Sequence, residues 1–210
     1  MTEQINHYKL RGLLFFAAGM LCDAVASIIL EIAGGKVLIY TGYGISVVSS
    51  VLYIVGIVMI KTRFEYFRRA KICIIWMLAL SVAVFLMTAA AFYFSFIALG
   101  SAAAVLAIAL VVISLLMVYY LLRGCADIGE DQGDENHEIF CNRSWIIYLA
   151  VFGISYIVGG IASNILGSSS GTGAAISSAM TYLGMAAKLL VGYVCWKTYR
   201  KFDGRKINAY

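Results

Sequence analysis

Six long apolar runs, separated by short gaps with Lys and Arg crowded into every second gap, leave this chain little choice of fold. A hydrocarbon core of roughly 30 Å is crossed by about 20 helical residues rising about 1.5 Å each. Apolar stretches reach or approach that length at about 12–33, 37–60, 72–98, 102–122, 145–167 and 174–196. Backbone N–H and C=O groups in lipid find no water, so each stretch is expected to be a helix. A chain of 210 residues that is 62% hydrophobic and 13% charged, with a mean hydropathy of +0.90, is too apolar for a soluble domain of this size. The longest polar stretch, 123–144, is too short to bury a core of its own. It is expected as a solvated acidic cytoplasmic loop carrying Asp127, Glu130, Asp131, Asp134, Glu135 and Glu138.

The links at 34–36, 99–101 and 168–173 are short, and short links force neighbouring helices to run antiparallel. The expected fold is therefore all-α: one polytopic domain over 1–210, with six transmembrane helices arranged as three antiparallel hairpins. Cytoplasmic segments are enriched in Lys and Arg. If the chain starts inside, all of its 16 cations except Lys36 and Lys188 fall on the cytoplasmic side. Both termini are then cytoplasmic, and the plasma membrane is the expected location. Aromatic residues fit the same frame, with Tyr119, Tyr120, Trp145, Trp196 and Tyr199 at the inner interface and Tyr40, Tyr43, Phe92 and Tyr93 near the outer one. None of the five cysteines falls in an outer loop where a disulfide would persist. Lys9 and Arg11 ahead of an apolar run that leads into Ala24-Val25-Ala26, a cleavage-like site, have the look of a signal peptide. The run continues to Ile32, however, and Asp23 would lie beside the cut, so the first helix is expected to be retained.

Charges inside the hydrocarbon are the sharpest chemical signal, because an Asp or Lys at a helix centre costs roughly 2.5 to 3.5 kcal/mol to insert. There are two deep ones. Asp23 lies about 17 Å of helix beyond Gly12, and Lys188 about 12 Å before Trp196. Helical side chains lean toward their own N-terminus, so Lys188 leans away from the nearer surface and calls for a partner or a wet cavity. Asp23 matches it in depth to about 5 Å. A pair that only fixes assembly and a pair that serves a substrate, ion or proton site are both open at this point.

Polar faces surround these charges. Gly19, Asp23, Ser27 and Glu31 recur at steps of four on the first helix; Ser177, Thr181, Gly184 and Lys188 share a face of the sixth; Ser46, Ser49, Ser50 and Tyr53 do so on the second. Asn164 adds an amide to the fifth. Helices one, two, five and six are thus expected to enclose a polar interior opening outward, with the almost wholly aliphatic fourth helix at the periphery. For any single hydroxyl, bonding to a helix carbonyl is an equally ordinary use. The fifth helix also carries Ser155, Gly159, Ser163 and Gly167 at steps of four, a small-residue stripe suited to a neighbouring helix, a second copy or another membrane protein.

Signals for catalysis are thin. No Gly-x-Ser-x-Gly elbow, His-Glu-x-x-His helix or phosphate-binding Gly-Lys motif occurs. Cys125, His137 and Cys141 do not have the spacing of a compact zinc site. The expectation is a small solute or ion transporter, or the membrane subunit of one, with a site lined by Asp23, Ser27, Glu31, Asn164 and Lys188. A non-transporting scaffold, sensor or accessory subunit is the alternative. No enzymatic activity, cofactor, metal or nucleic-acid partner is expected; the lipid bilayer is.

Overall fold

A computed structural model describes residues 9–32, 36–60, 64–94, 97–161 and 171–205. Six helices account for nearly all of them: α1 (Arg11–Ile32), α2 (Lys36–Met59), α3 (Glu65–Phe94), α4 (Ile97–Asp131), α5 (Glu135–Ile161) and α6 (Gly171–Phe202). All six are long and apolar enough to cross a membrane. The chain contains no proline, so nothing of that kind interrupts their hydrogen-bond ladders. Large apolar side chains such as Phe85, 72% exposed, and Ile75, 66% exposed, cover the outside of the bundle. Such a surface suits lipid, not water.

The helices outrun the hydrophobic spans. At 35 residues α4 is about 52 Å long, some 20 Å more than the hydrocarbon core. The segment 123–144 is accordingly not the solvated loop expected from its charge. Its first half continues α4, its second half begins α5, and only residues 132–134 form a turn. Charge density concealed the helical period here, since Leu121, Leu122, Cys125 and Ile128 keep one apolar face and are buried almost completely. The turn is closed by Gly133 in the left-handed region, φ 67°, and by Asp134 N–H donating 2.8 Å to Gly129 O. Asp134 then caps α5, accepting from His137 N–H at 3.3 Å, with Glu135 and Glu138 in the first turn where the helix dipole favours anions.

Packing is densest where α1 begins and α6 ends. Leu10 N–H donates 2.7 Å to Asp203 Oδ1, and Lys71 Nζ donates 2.8 Å to Ile60 O. Leu13, Phe16, Ile60, Phe67, Leu121 and Phe202 are buried there together. We call this the basic end, because every described cation except Lys36 and Lys188 belongs to the segments that meet at it. Toward the far end, buried apolar side chains dwindle to small ones such as Ala26 and Ala103.

Laterally, α6 is central: α1 packs on one side of it and α4 and α5 on the other, with α2 against α1 and α3 against α4. Two expectations fail here. The polar face of α2 does not join an interior, because Ser49 Oγ donates 2.9 Å to Gly19 O of α1, and Ser50 turns outward and bonds its own Ser46 O. Nor is the aliphatic span of α4 peripheral, since α4 packs against α3, α5 and α6 and its Met117, Val118, Leu121 and Leu122 are buried in the basic-end core. An aliphatic helix is equally suited to lipid and to a core, so composition could not separate the two.

The α1–α2 contact depends on glycine. A Cβ on Gly12 would stand 2.1 Å from Gly56 O and 2.7 Å from Ile60 Cγ1. Gly12→Val is expected to cost about 2 kcal/mol or more and to lower the melting midpoint in detergent, whereas Gly44→Ala, which meets nothing within 4 Å, leaves it level or slightly raised. The α5 cap makes a second prediction. The Lys201 ammonium bonded to Asp134 holds that carboxyl below its ordinary range. A depressed pKa contributes stability above the unfolded value and loses it as pH falls through the folded one. Asp134→Ala should therefore cost about 1 kcal/mol near neutrality, with the gap to the wild type closing in pH-dependent melting curves as pH falls below the ordinary carboxylate range.

Candidate functional site

Two small residues on α6 bracket Lys188. One turn toward the basic end, Gly192 lets α1 come close; a Cβ there would meet Met20 Cβ at 3.1 Å and Ala17 O at 3.5 Å. One turn toward the far end, Gly184 has open space before it. Between them Lys188 Nζ reaches Asp23 Oδ2 of α1 at 2.5 Å, with 33% and 24% of the two side chains exposed. Each charge supplies what lipid cannot, so the insertion costs that make a lone Asp or Lys unfavourable are largely offset by the other.

Above the pair, toward the far end, lies a cleft of about 620 Å³ between α1, α5 and α6. Its polar wall is Ser27 of α1, Ser155 and Tyr156 of α5, and Ser177, Thr181 and Lys188 of α6. Phe152, Met180 and Met185 supply its apolar part. Three of the hydroxyls donate to their own helices: Ser27 to Asp23 O at 2.8 Å, Ser155 to Val151 O at 2.7 Å and Thr181 to Ser177 O at 3.1 Å. With their protons engaged, these oxygens face the cleft as acceptors. Rings on α5 stack one above another from Tyr148 through Phe152 to Tyr156, with centroids 5.6 and 6.2 Å apart, and stiffen that wall.

Of the residues expected from sequence, Asp23, Ser27 and Lys188 come together. Glu31 lies further along α1, exposed, and accepts a hydrogen bond from Ser178 of α6. Asn164 lies outside the described residues, as do Ser163 and Gly167 of the fifth-helix stripe. The remainder of that stripe, Ser155 and Gly159, lines the cleft, and a Cβ on Gly159 would touch Met180 at 3.5 Å. Sequence reasoning missed Phe152, Tyr156, Met180 and Met185. The four-residue spacing of Tyr148, Phe152 and Tyr156 was the available signal for the first two.

At the basic end His137 Nε2 lies 3.0 Å from Thr198 Oγ1 and 3.4 Å from Cys141 Sγ. Among the described residues, no three His, Cys, Asp or Glu side chains are arranged to hold a metal ion. All five cysteines are free thiols.

Comparison with known protein families, characterised proteins and solved structures finds no match for this chain. The functional reading therefore rests on the cleft and its ion pair.

Removing one charge of the pair strands the other in a largely dehydrated place. Asp23→Asn and Lys188→Met are each expected to lower stability by about 1 to 3 kcal/mol, less than for a fully buried pair because both side chains are partly exposed. The double variant should regain at least half of the summed loss, read as the coupling energy of a double-mutant cycle on melting in detergent.

Proposed function

We propose that this is a membrane protein that binds a small polar solute or ion in the cleft between α1, α5 and α6, as a transporter or as the membrane subunit of one. In this reading the chain forms three antiparallel hairpins in the plasma membrane. The basic end is cytoplasmic, as the enrichment of inner segments in Lys and Arg requires, and the cleft opens to the outside.

The observation that carries the reading is the placement of Lys188, which is both the partner of Asp23 and a wall of a hydroxyl-lined cleft. A pair serving assembly alone is best enclosed by apolar packing, because water weakens it. Here one side of the pair borders space lined by serine and threonine oxygens instead. Intramembrane ionisable groups in such cavities mark substrate and ion paths in membrane proteins generally. Dense packing below the pair and open space above it also suit a site loaded from one face and shut toward the other.

The test has two arms. In a Cys22→Ser background, cysteines replacing Ser27 and Thr181 should react with a membrane-impermeant thiol reagent added outside, while a cysteine replacing lipid-facing Val47 stays unmodified. Protection of both cleft positions would sink the reading and favour a packed scaffold. In the second arm, a panel of small polar solutes is screened for a rise in melting temperature of the purified protein. A solute that raises it should also slow labelling at Thr181→Cys and lose its effect in Lys188→Met.

A further inference from the structure

A second groove, unrelated to the cleft, runs between α1 and α6 on the lipid-facing side. Its volume is about 340 Å³ and its lining is apolar: Leu14, Ala18 and Leu21 from α1, with Leu189, Tyr193 and Trp196 from α6. From Leu14 to Leu21 it extends about 10 Å along the helix, inside the roughly 15 Å depth of one leaflet's hydrocarbon. Trp196 ends the groove and also borders a cationic recess formed with Lys197, Arg200 and Lys201.

The charges in that recess are only partly spoken for. Lys201 pairs with Asp134. Nearby Asp203 accepts the Leu10 N–H. Lys197 Nζ rests 4.1 Å above the Phe140 ring and the Arg200 guanidinium 5.4 Å above the Trp196 ring. Neither has a carboxylate partner among the described residues. On α1, Arg11 stands exposed one turn before Leu14, on the face that continues into the groove.

The geometry points to a binding site for an anionic glycerophospholipid of the basic-end leaflet, with an acyl chain in the groove and its phosphate against Lys197 and Arg200. An occupant must be apolar along the groove and anionic at one end, with the change falling at Trp196, an aromatic residue of the kind that marks the hydrocarbon boundary. That is the build of a phospholipid. A zwitterionic lipid would match the groove and bring a phosphate too, but its own headgroup cation cancels that charge and it compensates the two protein cations less.

Trp196 is a built-in reporter. With Trp76→Phe and Trp145→Phe, the only tryptophan left is Trp196, and brominated phospholipids in mixed micelles quench it on contact. Half-maximal quenching should come at a mole fraction about 5- to 25-fold lower for brominated phosphatidylglycerol than for phosphatidylcholine, because each nearby cation is worth about fivefold. Combining Lys197→Gln with Arg200→Gln should abolish that preference and leave phosphatidylcholine quenching as it was. Arg68→Gln, on α3 away from the groove, should keep it. Ala18→Phe, which fills the groove, should weaken quenching by both lipids several-fold. Native mass spectrometry of the protein with all its tryptophans, comparing retention of the two lipids, gives the same reading if the Trp substitutions impair folding. Equal quenching by both lipids, or a preference that survives loss of both cations or disappears with Arg68→Gln, overturns the assignment.

Discussion

The close approach of α1 to α6 is the contact on which the rest of this structure depends. It is permitted at Gly192, where any side chain would press on Met20, and it brings Asp23 and Lys188 to 2.5 Å one turn away. Separated, each would be an isolated charge in hydrocarbon. Together they let two otherwise apolar helices carry an Asp–Lys pair in mid-helix, and Lys188 borders the cleft. The same seam has a second use. Its other side, from Leu14 to Trp196, is the apolar groove that leads to the basic recess.

Packing along the bundle is strongly graded. At the basic end the side chains are large and interlocked: Phe16 lies 5.0 Å from Tyr53, His137 5.0 Å from Phe202, and Tyr119 5.2 Å from Trp145 between ring centroids. Helical extensions of α4 and α5 beyond the bilayer add to that core, so the polar stretch that looked like loose connection is what ties α6 to α4 and α5. Toward the far end α1 and α2 stay in close contact at Gly42 and Leu30, and the cleft opens between α1, α5 and α6 among small and hydroxylated residues such as Ser27, Ser155, Gly159 and Ser177. A bundle clamped at one end leaves room at the other, which is where the cleft lies.

The sequence disclosed what depends on one helix at a time. Apolar length located all six helices, and the side-chain lean of Lys188 called for a partner at the depth of Asp23. It did not disclose what depends on which helix lies beside which. Ser49 and Tyr53 were expected to face an interior because they are polar, yet Ser49 serves as a bridge to Gly19, a use that becomes visible only when α1 and α2 are seen in contact. Ser155 and Gly159 had the small-residue spacing of an interface, and no sequence pattern says that the interface in question is with α6 across a cleft. For 123–144, the charged residues masked an apolar period of three and four that continues α4 past Leu122, and Gly133-Asp134 carried an unread signal for helix stop and helix start.

In the proposed reading the ion pair also bears on what kind of solute would suit the cleft. Asp23 and Lys188 cancel, so the resting site offers no net charge from these two residues. Ser27, Ser155 and Thr181 donate hydrogen bonds to backbone carbonyls and present their lone pairs. A neutral donor-rich solute can bind to such a wall without disturbing the pair. An anion has to draw Lys188 away from Asp23 and leave the carboxylate without its partner, and a cation has to draw Asp23 away from Lys188 and strand the ammonium in the same way. In the proposed reading a neutral, donor-rich solute therefore suits the resting cleft better than a charged one, because it gains the hydroxyl oxygens without breaking the pair.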